Sequence, residues 1–456
     1  MRFRLSERML NGAPPEAPWL DRLHSYLRPL LAHDSDHDPL LELIGQSRFA
    51  LLGEASHGTQ EFYRERIRIT QRLITERGIN AVAVEADWPD AWRVNRYVRG
   101  MGDDSDASAA LSGFQRFPAW MWRNTEVRDF VEWLRDYNAG RPHSHQVGFY
   151  GIDLYSMFGS IRVVLEYLDR TDPDAARQAR ARYACFDHVN EDSQRYGHAA
   201  SSGHTPSCED GALKQLLEMN RMAARASFTQ GPQADEMFYA QQNARLVHNA
   251  EAYYRAMFRG RESSWNLRDS HMADTLQALD RHLGAGGRTP RLAVWAHNSH
   301  LGDASATEMG ASGEWNVGQL IREHYGKDAV LIGFSTHHGW VRAADDWDAP
   351  GKRKRVRDGL PGSWEDLFHR LGTERFLLPL RDNPELRELT DQRRLQRAIG
   401  VIYRPGTERL SHYFHTRLPR QFDAMIHLDE THALEPLDEF SAASDEEVPD
   451  TYPVGI

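Results

Sequence analysis

The segment Leu51-Leu52-Gly53-Glu54-Ala55-Ser56-His57-Gly58-Thr59 sets a carboxylate and an imidazole three residues apart, directly after a short apolar run. An imidazole titrates near neutrality, and a carboxylate beside it fixes its tautomer and balances the imidazolium formed when it takes a proton. Such a pair suits proton abstraction from water. Four further apolar runs end in a similar way. Asn80 to Val84 leads into Glu85, Ala86 and Asp87, and Val147 to Ile152 leads into Asp153. Arg291 to Ala296 leads into His297-Asn298-Ser299-His300, and Ala329 to Phe334 into Thr336-His337-His338. One polar residue after an apolar run is uninformative, because any buried strand ends where polar surface begins. Five in succession, led by Glu54 with His57, Glu85, Asp153, and His297 with His300, point to one cleft lined by acids and imidazoles.

Two mechanisms use such groups. In the first, an imidazole held by a carboxylate deprotonates a water that attacks an ester or lactone carbonyl, with arginines opposing the oxyanion. In the second, two imidazoles and a carboxylate hold a metal ion that activates the water, and His297 and His300 could join that site. His337 and His338 read instead as a strand-end pair, structural or on the rim. G-x-S-x-G, H-E-x-x-H, C-x-x-C, P-loop and dinucleotide motifs do not occur, which removes the commonest hydrolase and nucleotide chemistries.

These groups need a scaffold. The five apolar runs alternate with helical patterns, so the expected fold class is α/β, a mostly parallel central sheet flanked by helices. Clefts in such sheets lie at the carboxyl ends of the strands, where helix amino termini favour negative charge. Glu61 to Gly78 reads as an amphipathic helix closed by a glycine, with further helices over Trp88 to Val98 and Glu126 to Tyr137. From about Met157 to Leu283 the pattern is almost wholly helical apart from the polar loop Ala199–Asp210. That exceeds one crossover and implies a large inserted helical lobe. Arg375–Leu380, Ala398–Tyr403 and Asp423–Leu428 are candidate extra strands. The chain thus divides into an N-terminal helical segment (1–45), a first part of the α/β core (46–155), the helical lobe (156–285), a second part of the core (286–440) and a loose acidic tail (441–456). Trp88, Trp92, Trp120, Trp122, Trp295 and Trp315 are expected mostly in the core, with one or two facing a large apolar cleft.

Composition bounds the partners. Hydrophobic residues at 40% and charged residues at 27% of 456 positions suit a globular protein with a sizeable core. A net charge of −11 argues against nucleic acid or an anionic membrane as the main partner. The one basic run, Lys352-Arg353-Lys354-Arg355, reads as a solvated loop. Cys185 and Cys208 are the two cysteines, and no disulfide framework is expected from them. No apolar run approaches the roughly 18 residues of a membrane span, and the amino terminus lacks the apolar stretch of a signal peptide, so a cytoplasmic location is expected.

Several blocks together resemble the erythromycin esterase family: Gly53-Glu54-Ala55-Ser56-His57-Gly58 with Glu61 and Arg66, Glu85, and the Trp120/Trp122 pair. Trp265-Asn266-Leu267-Arg268-Asp269-Ser270-His271-Met272, Trp295-Ala296-His297-Asn298-Ser299-His300 and Gln421-Phe422-Asp423 with His427 continue the pattern over roughly residues 45 to 440. The resemblance implies an α/β core with a helical lobe, of the kind shared with iron- and haem-associated ChaN-like proteins. It also implies hydrolysis of a macrolide lactone or other carboxylic ester, a small-molecule substrate and no cofactor. By motif position His57 would be the general base, Glu54 and Glu85 would orient and charge-balance it, and His297 would complete the cluster. Arg66 and Arg268 would lie near the carbonyl oxygen, with Glu61, His300 and Asp269 as supporting groups. Gly58 stands where the macrolide-resistance enzymes tend to carry a bulkier aromatic residue. That departure is similar to the broad environmental branch of the family, often labelled succinoglycan-biosynthesis-related. A metal- or haem-binding protein, or a metallohydrolase built on the same His/Glu cluster, is the alternative.

Overall fold

The computed structural model describes residues 16–226, 230–258 and 260–438. The expected acidic tail and residues 1–15 of the expected N-terminal segment lie outside the described residues. The strands are, in chain order, β1 (Arg28–Pro29), β2 (Phe49–Leu52), β3 (Ala81–Asp87), β4 (Gly148–Asp153), β5 (Leu292–Trp295), β6 (Ala329–Ser335) and β7 (His338–Ala343). They continue with β8 (Lys352–Val356), β9 (Arg375–Pro379), β10 (Arg393–Arg397), β11 (Tyr413–Arg417), β12 (Ala424–Leu428) and β13 (Glu430–Thr431).

The main sheet has the order β1-β9-β12-β6-β2-β5-β3-β4. From β12 to β4 its neighbours run parallel, whereas β9 and β1 close one edge antiparallel. All five strands expected from the apolar runs lie in the parallel stretch. Their continuous hydrophobicity follows from being covered on both faces. Phe49, Leu51, Ala81 and Ala83 enter one core, and Ala50, Leu52, Val82 and Val84 enter the other, because successive strand side chains point to opposite faces. The helix Gln60–Arg77 follows β2 and ends at Gly78, whose φ of 72° is the left-handed conformation that favours glycine there. Between β4 and β5 the chain is helical, from Met157–Thr171 to the long pair Pro232–Ala256 and Arg261–Gly284. No helix among the described residues is long and apolar enough to cross a membrane.

Four expectations are corrected. Ala398–Tyr403 is not a strand. It crosses over the strand ends, Ile399 donating its amide to the Ala55 carbonyl, so its apolar residues pack on loops instead of joining the sheet. Lys352–Arg355 is not a loop but β8, the outer strand of the small sheet β13-β7-β8. Its basic residues tolerate that edge by lying along neighbours, Arg353 over the Trp340 ring and Lys354 on the carbonyls of Ala344 and Tyr403. Cys185 and Cys208 form a disulfide within the helical region; the helix Ser193–Ser201 and the loop after it return Cys208 to Cys185, which spacing alone does not reveal. The N-terminal segment is not wholly helical, because Arg28–Pro29 pairs with β9.

Candidate active site

The ends of β2, β3, β4 and β5 bring His57, Glu85, Asp153, His297 and His300 to the wall of one cavity, where Arg268 of helix Arg261–Gly284 joins them. The cavity encloses about 1220 Å³ of free space, counting its open mouth, and Phe114, Phe117, Met121, Trp122 and Trp347 add an apolar wall.

His57 sits in the turn from β2 to the helix Gln60–Arg77. Strand β7 fixes that turn: the Gly58 carbonyl accepts the amides of Arg342 and Leu434. A Cβ on Gly58 would collide with the Arg342 carbonyl, so only glycine lets β7 approach this closely. His57 Nδ1 lies 2.8 Å from Glu54 Oε1, and the other Glu54 oxygen lies 2.5 Å from Arg66 Nη2. All three side chains are buried. Facing a carboxylate, Nδ1 carries the ring hydrogen and leaves Nε2 of His57 as the lone-pair nitrogen available to the cavity.

His297 is held the opposite way. Its Nδ1 accepts the Ser299 amide at 3.2 Å and lies 2.8 Å from Ser299 Oγ. An amide can only donate, so Nδ1 is the acceptor and Nε2 bears the hydrogen. That Nε2 has no hydrogen-bond partner among the described residues. Burial, then the neighbouring His57, pushes the His297 imidazole well below its usual range, with Glu85 and the Ala55 carbonyl pulling the other way. The two rings lie 4.9 Å apart, centre to centre. The two imidazoles thus meet at one wall of the cavity.

Glu85 ties this pair to a charged lattice. Its Oε2 accepts the His297 backbone amide at 2.8 Å, and its Oε1 lies 2.7 Å from Arg268 Nη2 and 3.3 Å from His300 Nε2. Arg268 also clamps Asp153 through Nε at 3.0 Å and Nη2 at 2.6 Å. His300 Nδ1 reaches both oxygens of Asp269, at 2.9 and 3.0 Å, and its ring stacks on Trp265. Burial disfavours a charged Glu85, yet His300, His57 and Arg268 outweigh it and hold the carboxyl well below its usual range. Burial likewise opposes the His300 imidazolium, but Asp269 and Glu85 hold it up at about 9. Arg268 Nη1 also lies 3.1 Å from His300 Nε2, so guanidinium and imidazole share the Glu85 carboxylate.

The expected residues therefore divide. His57, Glu85, His297, His300 and Arg268 line the cavity, while Glu54 and Asp269 are buried directly behind His57 and His300. Arg66 does not reach the carbonyl side of the cavity. It lies fully buried under Glu54, over the rings of Tyr63 and Trp295, because its helix rises from the strand end away from the opening. Glu61 faces outward to His432 and takes no part in the cluster. Three lining groups went unread in sequence. Arg116 pairs with Asp87 at the cavity wall, and Asp90 is lifted to about 7 by burial and by Asp87. Tyr155 lies under the Arg268 guanidinium. Asp90 falls in the first turn of its helix, where acids are common, and Tyr155 follows β4 without any motif. Metal-ligand convergence occurs elsewhere: among the described residues, His337, His338, His369 and Asp429 bring one ligand atom each within 4.8 Å of the others.

Comparisons with known proteins agree with this architecture. The family model for erythromycin esterase matches residues 74–431. Erythromycin esterase type II of Escherichia coli is 24% identical over 321 residues, covering 68% of this chain and 73% of that protein. A succinoglycan biosynthesis protein of solved structure superposes with a TM-score of 0.73 at 21% identity, covering 94% of this chain and all of that one. A mutant of the erythromycin esterase EreC in its open conformation gives a TM-score of 0.64 at 17% identity, over 91% of this chain and 98% of that chain. These structural likenesses speak for the fold.

Proposed function

The chain belongs to the erythromycin esterase family, and on that premise we propose that it is a hydrolase that cleaves a carboxylic ester or lactone with a water activated by His57. The observation that carries the reading is the opposite tautomers of His57 and His297 at one cavity wall. A water held at His57 Nε2 gives its proton to that nitrogen as its oxygen adds to the carbonyl carbon, and Glu54 balances the imidazolium. The carbonyl oxygen becomes an oxyanion within reach of His297 Nε2–H, a neutral donor that otherwise lacks a partner. On collapse the acyl C–O bond breaks, and the leaving alkoxide takes the proton back from His57. The products are a carboxylic acid and an alcohol, or one hydroxy acid from a lactone.

The remaining groups act as supports in this reading. Glu85 holds the His297 backbone by accepting its amide, while Arg268 and His300 keep that carboxylate charged. Arg66 secures Glu54 from behind and so acts as a positioning residue. The apolar wall favours a bulky acyl or alcohol portion, and macrolide lactones are one such class.

Incubation with a panel of aryl esters, simple lactones and macrolides, followed by mass spectrometry, tests the proposal. At least one substrate should gain one water, and His57→Asn should abolish that gain while the protein stays folded. Turnover undiminished in folded His57→Asn, or activity that a chelator abolishes and metal restores in the His369→Ala variant, would refute it.

A further inference from the structure

A second imidazole cluster lies along the same sheet edge, outside the cavity. His337 and His338 bridge β6 and β7, His369 comes from the helix Trp364–Arg370, and Asp429 follows β12. His337 Nδ1 and His338 Nδ1 face each other at 3.0 Å. His369 Nδ1 lies 2.9 Å from both Asp429 oxygens, and the His337 and His369 rings stack at 3.9 Å. We propose that these four side chains form a binding site for a divalent transition-metal ion, Zn²⁺ in preference, with three imidazole nitrogens and one carboxylate oxygen as ligands.

The donor set is the borderline-soft mixture that suits zinc. With metal–ligand bonds of about 2.1 Å, neighbouring donors in a tetrahedron stand about 3.4 Å apart. Both close pairs already fall slightly inside that spacing, and all four ligand atoms lie within 4.8 Å of one another; completing the cage requires the stacked rings of His337 and His369 to turn so that their in-plane lone pairs meet.

The backbone is fixed in advance. The Asp429 carbonyl accepts the amides of both His337 and His338, at 3.1 and 3.0 Å, and buried Arg397 donates to the His337 carbonyl at 3.1 Å. Asp429 itself is oriented by buried His427, whose Nε2 lies 3.3 Å from Oδ1, the kind of support that ligating carboxylates usually have. The side chain of His369 is 46% exposed, which gives an ion a route in. A metal here would pin the start of β7, the strand whose Arg342 amide holds Gly58 beside His57.

The test uses full-length protein stripped with chelator and dialysed. Calorimetric titration with Zn²⁺ should show one ion per chain with micromolar or tighter affinity, Co²⁺ should give the visible absorption of a tetrahedral site, and Tm should rise with Zn²⁺. His369→Ala, at a partly exposed position where folding is not at risk, and Asp429→Asn should each weaken binding at least about tenfold, whereas His297→Asn should leave it unchanged. Absence of saturable binding, an octahedral Co²⁺ spectrum, or full affinity retained in His369→Ala would overturn the proposal.

Discussion

Two clusters of imidazoles and carboxylates share one edge of the sheet, and their differences separate two kinds of chemistry. Around His57, each acid is matched by a cation: Glu54 by Arg66, and Glu85 and Asp153 by Arg268. The His57 and His297 rings there meet at the wall of one cavity. Around His337, no arginine side chain pairs with Asp429 among the described ion pairs, and the ring nitrogens converge on each other at a half-exposed surface. Acids neutralised by guanidinium leave imidazoles free for proton transfer, whereas a carboxylate with only imidazole partners leaves a site that lacks a cation. Composition is nearly the same in both; counter-charge and direction differ.

Substitutions can break this contrast or sharpen it, beginning with the largest effect. His57→Asn removes the base and should lower kcat by about 10³- to 10⁴-fold, measured by steady-state kinetics with the fold checked by circular dichroism. Arg66→Met leaves Glu54 buried without its partner and should cost about 3–5 kcal/mol of stability, read from urea unfolding. If stability hardly changes, Arg66 is not what balances Glu54. His297→Ala removes the proposed oxyanion donor and should lower kcat by about 10²- to 10³-fold with a smaller change in KM.

The smallest effect concerns pH. The folded-state value of His300, held up at about 9, exceeds its ordinary 6.5. Its contribution is therefore fully present below pH 6.5 and is lost as pH rises from there through about 9. At about 1.4 kcal/mol per pH unit, the loss is on the order of 3 kcal/mol. His300→Gln should be less stable than the parent at pH 6 and close to it at pH 10. A constant gap across that range would contradict the charged Glu85–His300–Asp269 arrangement.

Much of the fold was legible because buried parallel strands are apolar on both faces. Phe49–Leu52 and Ala329–Phe334 announce themselves, and the carboxylate or imidazole after each run marks the edge where the cavity forms. What escaped has a physical reason. Strand β8 and the start of β10 carry Lys and Arg on exposed positions, so their sequences resemble solvated loops. The disulfide depends on the return of a helix and loop that spacing cannot specify. Residue type suggested that Arg66 and Arg268 were equivalent, but a helix direction decides that one supports Glu54 and the other reaches Glu85. His369 and Asp429 carry no local signal at all, because their convergence with His337 and His338 is created by sheet order.

The central claim is that His57 and His297 are of opposite tautomer, one carrying its hydrogen on Nδ1 beside Glu54 and the other on Nε2. Long-range ¹⁵N–¹H correlation spectra of uniformly labelled protein at neutral pH, assigned with His57→Asn and His297→Asn, measure this directly. A bare Nε2 on His57 together with a bare Nδ1 on His297 is the predicted result. Identical tautomers, or an imidazolium at His297, would contradict it.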